Sequence, residues 1–365
     1  MSADDSPKPP RVAVIIPNYN GEAYLATCLD SILDQDYPDF SVTVVDNASA
    51  DDSVAFVKRA FPQVAVVENS RNTGYAGGCD AGLRRELRDP DNKYFILVNC
   101  DVRVERDWLA ELVKAAEADP GIGVCQSLIL LDEDHAGVAD VEQTGDSPRL
   151  INSAGNEMHF LGFGYCGHYR EPDRGQFGSV RDVPFASGSS MLVRRELVEA
   201  VGMLDEELFM YQEDLDLCWR ARIAGWRVVL APASRLFHSY SFSRNPGKYY
   251  YLERNRAVVC LKNYELHSLL VLAPAFIGAE LAMLAYSVLG GWFRQKLRGY
   301  LWLLRNLDRV LERRRQVQAS RQLPDSAIAA FWTNRMGFAD LADSPLTRLA
   351  NPVSILYWKL VRRLI

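Results

Sequence analysis

Val12-Ala13-Val14-Ile15-Ile16 runs straight into Pro17-Asn18-Tyr19-Asn20-Gly21. A short apolar, β-branched run that stops on Pro, Asn and Gly reads as a strand ending in a turn. Residues 42–46, 64–68 and 94–98 repeat the pattern. Between the first two strands Leu25, Leu29, Ile32 and Leu33 recur at helical period, and Ser49 with Asp52 predicts a capping-box start to a helix using Val54, Val57 and Phe61. Strand and helix in alternation predict an α/β fold, a mostly parallel, Rossmann-like sheet with helices on both faces. Such sheets bind ligands beyond the carboxyl ends of their strands, so chemistry is expected just after Ile16, Val45 and Val98.

Farther along, residues 107–118 predict a helix and 122–126 a strand. Residues 131–181 are acidic, then rich in Gly and aromatics, with poor periodicity, and read as a long surface insertion. Order returns with residues 183–194 and a helix to 201. A helix over 213–224 closed by Gly225, a strand over 227–230 and a helix over 249–263 follow.

The 365 residues are 48% hydrophobic and 24% charged, near the globular average, which excludes a disordered, collagen-like or coiled-coil chain. Seven cysteines without a CxxC pair suggest neither a disulfide framework nor a zinc cluster and fit a reducing cytoplasm. Residues 1–10 are polar and Pro-rich, expected to be disordered, and do not resemble a secretory signal. The net charge of −6 hides an asymmetry. Residues 294–365 carry 14 basic and 5 acidic side chains, a net +9, so the first 293 residues carry −15. An acidic body argues against nucleic-acid binding, and a basic tail points at an anionic surface such as a membrane.

The candidate chemistry sits at the strand ends. Tyr19 offers a ring and Asp46 a carboxylate, which together suit a flat base stacked on the tyrosine and donating a ring N–H to the acid; uracil and thymine both satisfy this. Taken singly, each segment reads first as turn chemistry. After the third strand, residues 69–78 (Asn-Ser-Arg-Asn-Thr-Gly-Tyr-Ala-Gly-Gly) bring Arg71, Gly74 and backbone N–H groups toward phosphate, with a plain Gly-rich loop as the competing reading. The pattern is not GxGxxG, which disfavours an NAD-dependent oxidoreductase. Leu97-Val98-Asn99-Cys100-Asp101 delivers one carboxylate to the same edge, where Mg²⁺ or Mn²⁺ needs few protein oxygens if a diphosphate supplies the rest. Glu213, Asp214 and Asp216 open a helix behind Phe209 and Tyr211, a setting for a general base. His238, just past a strand, is a candidate second metal ligand.

These segments, with 186–194, 202–220, 225–232 and Arg254-Asn255, stand in the order of inverting glycosyltransferase family 2, and residues 11–263 resemble its GT-A domain. Asn152-Ser153-Ala154-Gly155 and Gly188-Ser189 bring the likeness nearest to bacterial rhamnosyltransferase-like members. The resemblance implies that Pro17, Tyr19, Asp46, Arg71, Gly74 and Asn99 surround the nucleotide. It further implies that Asp101 and His238 hold a divalent cation, and that Asp214, with Glu213 beside it, is the catalytic base. Asn99 stands where the family often has its first DxD acid, and Asp80 where many relatives have Asn. The QxxRW signature of processive relatives is absent, implying one sugar per encounter.

The expected activity is transfer of a sugar from a UDP- or dTDP-sugar, dTDP-rhamnose by analogy, to an acceptor hydroxyl in cell-surface polysaccharide or glycolipid synthesis. The alternative is a nucleotide-sugar-binding protein without catalysis. Residues 264–365 are expected to form a basic helical tail. Residues 269–288 hold one charge, Glu280, and are nominally long enough to cross a bilayer. A body that meets its donor in the cytoplasm and Arg294, Lys296, Arg298, Arg305, Arg309 and Arg313 to Arg315 both ask for the cytoplasmic side. A re-entrant or interfacial helix pair on the cytoplasmic leaflet is therefore expected, with a helical hairpin in a soluble homo-oligomer as its competitor.

Overall fold

A computed structural model describes residues 8–132, 148–239, 247–337 and 345–365. Of the expected disordered residues 1–10, residues 1–7 lie outside the described residues, as does the most acidic part of the insertion, 133–147, while Lys8 pairs with Asp39 and Pro10 O accepts from the Tyr37 hydroxyl.

The four sequence-read strands form as β1 (Arg11–Asn18), β2 (Phe40–Asp46), β3 (Ala65–Glu68) and β4 (Asn92–Val98), separated by α1 (Glu22–Leu33), α2 (Ser53–Ala60) and α3 (Gly74–Glu86). They are parallel: Ile16 pairs with Val44, Val44 with Val66, and Val14 with Ile96. Next come β5 (Val102–Val104), α4 (Trp108–Glu117), β6 (Ile122–Leu131), β7 (Ile151–Ser153), β8 (Asn156–His159) and β9 (Gly164–Cys166). The sequence continues through β10 (Arg181–Asp182), β11 (Ser190–Arg194), α5 (Arg195–Val201), α6 (Glu213–Ile223) and β12 (Arg227–His238). The main sheet runs β10-β12-β6-β11-β4-β1-β2-β3, with β11 antiparallel to both its neighbours. Fully buried Val12, Val14 and Ile16 face one helical layer and Ala13 and Ile15 the other, which is why β1 reads as an unbroken apolar run.

The described residues beyond β12 are mostly helical: α7 (Lys248–Asn263), α8 (Leu266–Leu289), α9 (Phe293–Arg305), α10 (Leu307–Ala319), the one-turn α11 (Asp325–Ile328) and α12 (Pro345–Val361), with a short β13 (Trp332–Thr333) before the last. Arg314 donates to the carbonyls of Leu261 and Tyr264 at the end of α7, and Gln318 to those of Lys262 and Asn263, so α10 satisfies acceptors that a helix terminus leaves open.

Three expectations change. The described part of the insertion is not all surface chain: residues 151–163 are buried apart from Glu157, and β8 pairs with β9 on one side and with β13 on the other, whereas most of residues 170–181 are exposed. The capping box does not form. Asp52 precedes α2 without a side-chain cap, and Ser49 Oγ instead takes the Asn18 amide at 3.2 Å and the Asn20 N–H at 2.9 Å. Of the tail cations, Lys296 is buried between Glu253 and Glu280, Arg313 pairs with Asp205, and Arg314 serves α7, so these three face inward.

Candidate active site

Three strand ends build one half of the site. Tyr19, beyond β1, is 52% exposed, as a stacking platform must be, while Asp46 at the end of β2 is buried. Asp46 takes the Asn18 amide on Oδ1 at 3.0 Å and the Ser49 N–H on Oδ2 at 2.9 Å, which fixes its carboxylate plane and leaves lone pairs for a base N–H. Asn47 holds the following loop, accepting from Thr73 Oγ1 at 2.8 Å and donating to Gly74 O at 3.1 Å. Arg71 is exposed on that loop. Gly74 is buried at φ +73°, and a Cβ there would stand 2.2 Å from Phe209 O. Gly74 thus seats the nucleotide-side loop against the loop that leads to the acids.

Beyond β4, Asn99, Asp101 and His238 converge. His238 Nε2 lies 3.3 Å from Asp101 Oδ1 and 3.3 Å from Asn99 Nδ2, and its Nδ1 is 3.1 Å from Asn152 Oδ1. With Nδ1–H donated to Asn152, the Nε2 lone pair faces Asp101. Asp101 Oδ1 is buried with no hydrogen bond directed at it. Two lone pairs facing one another across 3.3 Å, one on oxygen and one on nitrogen, fit a divalent cation that takes its remaining ligands from a diphosphate. Among the described residues no cluster of three or more His, Cys, Asp or Glu offers a closed metal cage.

The other half is the start of α6. Asp214 keeps partial access to solvent, whereas Glu213 is buried. Gly188 N–H donates to Asp214 Oδ2 at 3.1 Å and Leu215 N–H to Oδ1 at 2.7 Å. Burial raises the Asp214 pKa despite these bonds. Glu213 is pushed well above its ordinary value, by burial first and Asp214 second, and its Oε2 has no partner. Of this adjacent pair the upward push is stronger on Glu213, where the charge of Asp214 adds to burial. Asp216 is a different kind of acid. It is fully buried under Lys262, Arg220 and Asn263, and burial's upward push is overcome by those cations, which bring it to about 2.

The two halves meet at one turn. Gly188 N–H holds Asp214, and the next residue's carbonyl, Ser189 O, accepts from Asn99 N at 3.4 Å. Tyr75 donates its hydroxyl to Gly188 O from below. The acids are aimed by a strained loop: Phe209, Tyr211 and Gln212 have φ of +65°, +67° and +71°, where a side chain is unfavourable. Asn255 Nδ2 lies within hydrogen-bond distance of three of its carbonyls, Leu208 at 2.8 Å, Met210 at 2.9 Å and Tyr211 at 2.7 Å, and Arg254 holds Glu207 O at 2.6 Å. Sequence reasoning found the acids, the histidine and the strand-end residues, but not Asn18, Asn47 or Tyr75. Tyr75 meets Gly188 across 113 residues, a separation that leaves no local pattern.

A sequence profile for Glycosyl transferase family 2 matches residues 13–202, and one for Glycosyl transferase family group 2 matches residues 170–351. The N-acetylglucosaminyl-diphospho-decaprenol L-rhamnosyltransferase of Mycobacterium tuberculosis is 29% identical over 228 residues, 57% of this chain and 70% of that protein. Rhamnosyltransferase WbbL of Escherichia coli is 26% identical over 245 residues, 66% of this chain and 86% of that protein. An uncharacterised protein of Sinorhizobium fredii is 29% identical over 250 residues, 64% of this chain, and the match spans only 25% of that relative's length. The crystal structure of GalNAc-T7 with UDP, GalNAc and Mn²⁺ shares the fold, with a TM-score of 0.53 and 18% identity over 69% of this chain and 48% of that one. The chain belongs to glycosyl transferase family 2 and is a glycosyltransferase of GT-A fold close to the rhamnosyltransferases.

Proposed function

We propose that the enzyme transfers rhamnose, with inversion, from a dTDP- or UDP-linked donor to a hydroxyl of a lipid-linked saccharide in cell-surface polysaccharide synthesis. The observation that carries this reading is the solvent-reached Asp214, braced by two N–H groups and joined through the Gly188-Ser189 turn to the strand end bearing Asn99 and Asp101. Tyr19 and Asp46 take the pyrimidine, and Arg71 approaches the phosphates. Asp214 removes the proton of the acceptor hydroxyl as its oxygen bonds to the anomeric carbon. The bond from that carbon to the diphosphate breaks on the opposite face, so a single displacement inverts the centre. Asp101 and His238 are the residues that would hold a divalent cation, whose chemistry when bound is to neutralise charge on the leaving diphosphate. The orphaned Asp101 Oδ1 supports that assignment, and Mg²⁺ and Mn²⁺ both satisfy it.

The acceptor class follows the name of the Mycobacterium tuberculosis relative, a diphospho-decaprenol. The tail supports a place on the cytoplasmic leaflet. Leu270, Ile277 and Leu281 of α8, Leu301 and Leu304 of α9, and Val353, Leu356 and Leu360 of α12 all face outward, with exposed Arg294, Arg298, Arg305 and Arg309 nearby in sequence. Glu280 tethers α8 to Arg256 and Lys296 of the neighbouring helices, which favours a helix lying on the membrane surface over one crossing it. Incubation with dTDP-rhamnose and an N-acetylglucosaminyl-diphospho-prenol tests the reading. Release of dTDP with a product of inverted anomeric configuration by NMR is expected. Retention of configuration, or no nucleotide release with any UDP- or dTDP-sugar, overturns it.

A further inference from the structure

Between α7, α8 and α9 lies a groove of about 510 Å³, within the size range of ligand pockets, whose wall is almost entirely hydrocarbon. Ala257 and Leu261 form one side, Ala273, Phe276 and Ile277 the second, and Leu303 the third. Its polar floor is closed. Arg256 pairs with Glu253 and Glu280, and Lys296 with the same two acids. Burial alone would raise the Glu280 carboxyl, but Arg256 and Lys296 bring it to about 2, so these four floor charges are paired, and Arg254 at the inner wall is spent on backbone carbonyls and rings. Such a groove suits a chain without polar groups.

Two features say which chain. Ile277 both lines the groove and is 61% exposed, so the mouth is continuous with the outward apolar stripe of α8, and a hydrocarbon can enter without crossing a polar rim. The inner wall leads to the catalytic loop. Arg254 lines the groove and donates to Glu207 O and Leu208 O, and Tyr251 beside it stacks on Phe209 at 5.0 Å. Exposed Arg298 stands 5.3 Å from the Tyr250 ring, which abuts Tyr251, and so places a cation on the way from groove to loop. A ligand with a hydrocarbon tail, then anionic groups, then a sugar matches that order.

We propose that the groove takes the prenyl chain of a prenyl-diphosphate-linked acceptor, with the diphosphate toward Arg298 and the sugar toward Asp214. This rests on the reading of the acceptor given above. Ala257→Phe and Ala273→Phe narrow the groove from opposite walls. Each should raise KM for N-acetylglucosaminyl-diphospho-decaprenol roughly tenfold, the loss of about two buried methylenes, and leave KM for the same headgroup on an octyl chain unmoved. Equal effects on both chain lengths, or none, overturn the groove while leaving the reaction intact. If neither acceptor is used, the acceptor reading has failed, and a binding measurement still decides the groove. A benzophenone-bearing decaprenyl diphosphate should label peptides of α7, α8 or α9, with decaprenyl diphosphate competing and phosphatidylglycerol not. Labelling elsewhere, or equal competition by the phospholipid, overturns the proposal. So does a dimer, detected by ultracentrifugation, that Ala273→Phe dissociates while labelling persists.

Discussion

Replacing Asn255 with Ala tests whether backbone strain aims the catalytic acid. Its amide has two hydrogens shared among three carbonyls of residues 208–211, and its Oδ1 accepts from Arg254 Nε at 2.8 Å. Three bonds at roughly 0.5–1.5 kcal/mol each predict a loss of about 2–4 kcal/mol, or about 3–5 °C in Tm for a chain of this size. Phe209, Tyr211 and Gln212 hold positive φ only because the surroundings impose it, at about 1–3 kcal/mol apiece. Relaxing even one of them turns the start of α6 and takes Asp214 away from the acceptor hydroxyl. If the site must restore that conformation in each turnover, kcat falls roughly 10–100-fold. Donor affinity should fall far less than kcat, because Tyr19 and Asp46 sit on other elements and only the Gly74 loop packs on Phe209. Steady-state kinetics with dTDP-sugar, isothermal titration and thermal melting separate these quantities. A variant with lowered Tm but unchanged kcat would refute the reasoning, since the loop would then keep its shape without Asn255.

Asp214→Asn should lower turnover by about 10²–10⁴-fold, whereas Glu213→Gln, which mimics a protonated acid, should keep most of it; near-normal turnover in Asp214→Asn transfers the base to another group. Because Asp214 works ionised and burial raises its pKa, kcat/KM should grow as pH climbs through a value above the usual carboxylate range and vanish as pH falls below it, with Glu213→Gln leaving that limb in place. Chelation should abolish turnover, and Mn²⁺ or Mg²⁺ should restore it. Asn152→Ala, which frees the His238 ring, should weaken Mn²⁺ binding in a titration by roughly 10–100-fold, and full activity in excess chelator would remove the metal from the mechanism. The full chain should pellet with membranes and be partly released by high salt, and Leu356→Glu with Leu360→Glu should free it; a wild-type chain wholly soluble without detergent contradicts the interfacial placement.

The nucleotide half was legible in the sequence because burial on both faces writes apolar runs, and because each strand end carries its own chemistry within a few residues. Asp214 was legible for the same reason, lying beside Glu213 at a helix start. What holds Asp214 was not. Gly188 reaches it, Asn255 reaches its loop and Tyr75 holds Gly188, each from a separate element, and a hydrogen bond to or from the backbone imposes no pattern on the sequence. Residues 148–181 read as surface chain because their polar composition includes buried groups with fixed partners, such as Gln126 Nε2 on Ser153 Oγ at 3.1 Å. Three cations of the tail misled in the opposite direction: charge in a sequence suggests solvent, yet Lys296 is buried against Glu253, Arg313 pairs with Asp205 and Arg314 serves the end of α7.

The pairing of Trp332–Thr333 with Met158 and His159 has a consequence for how the protein is made. Met158, Phe160 and Leu161 wait for a strand that leaves the ribosome about 170 residues later, which at about 5–20 residues per second is roughly 10–30 s. Through that interval the nascent chain has an open strand edge and a cluster of uncovered aromatics on an otherwise formed sheet. Ribosome-bound chains stalled before residue 332 should therefore recruit holding chaperones and aggregate on release, and chains stalled beyond it far less. Acquiring new acceptor specificity by exchange of residues 148–181 meets the same constraint, because the transplanted segment arrives without the strand that completes it unless its own C-terminal partner travels with it.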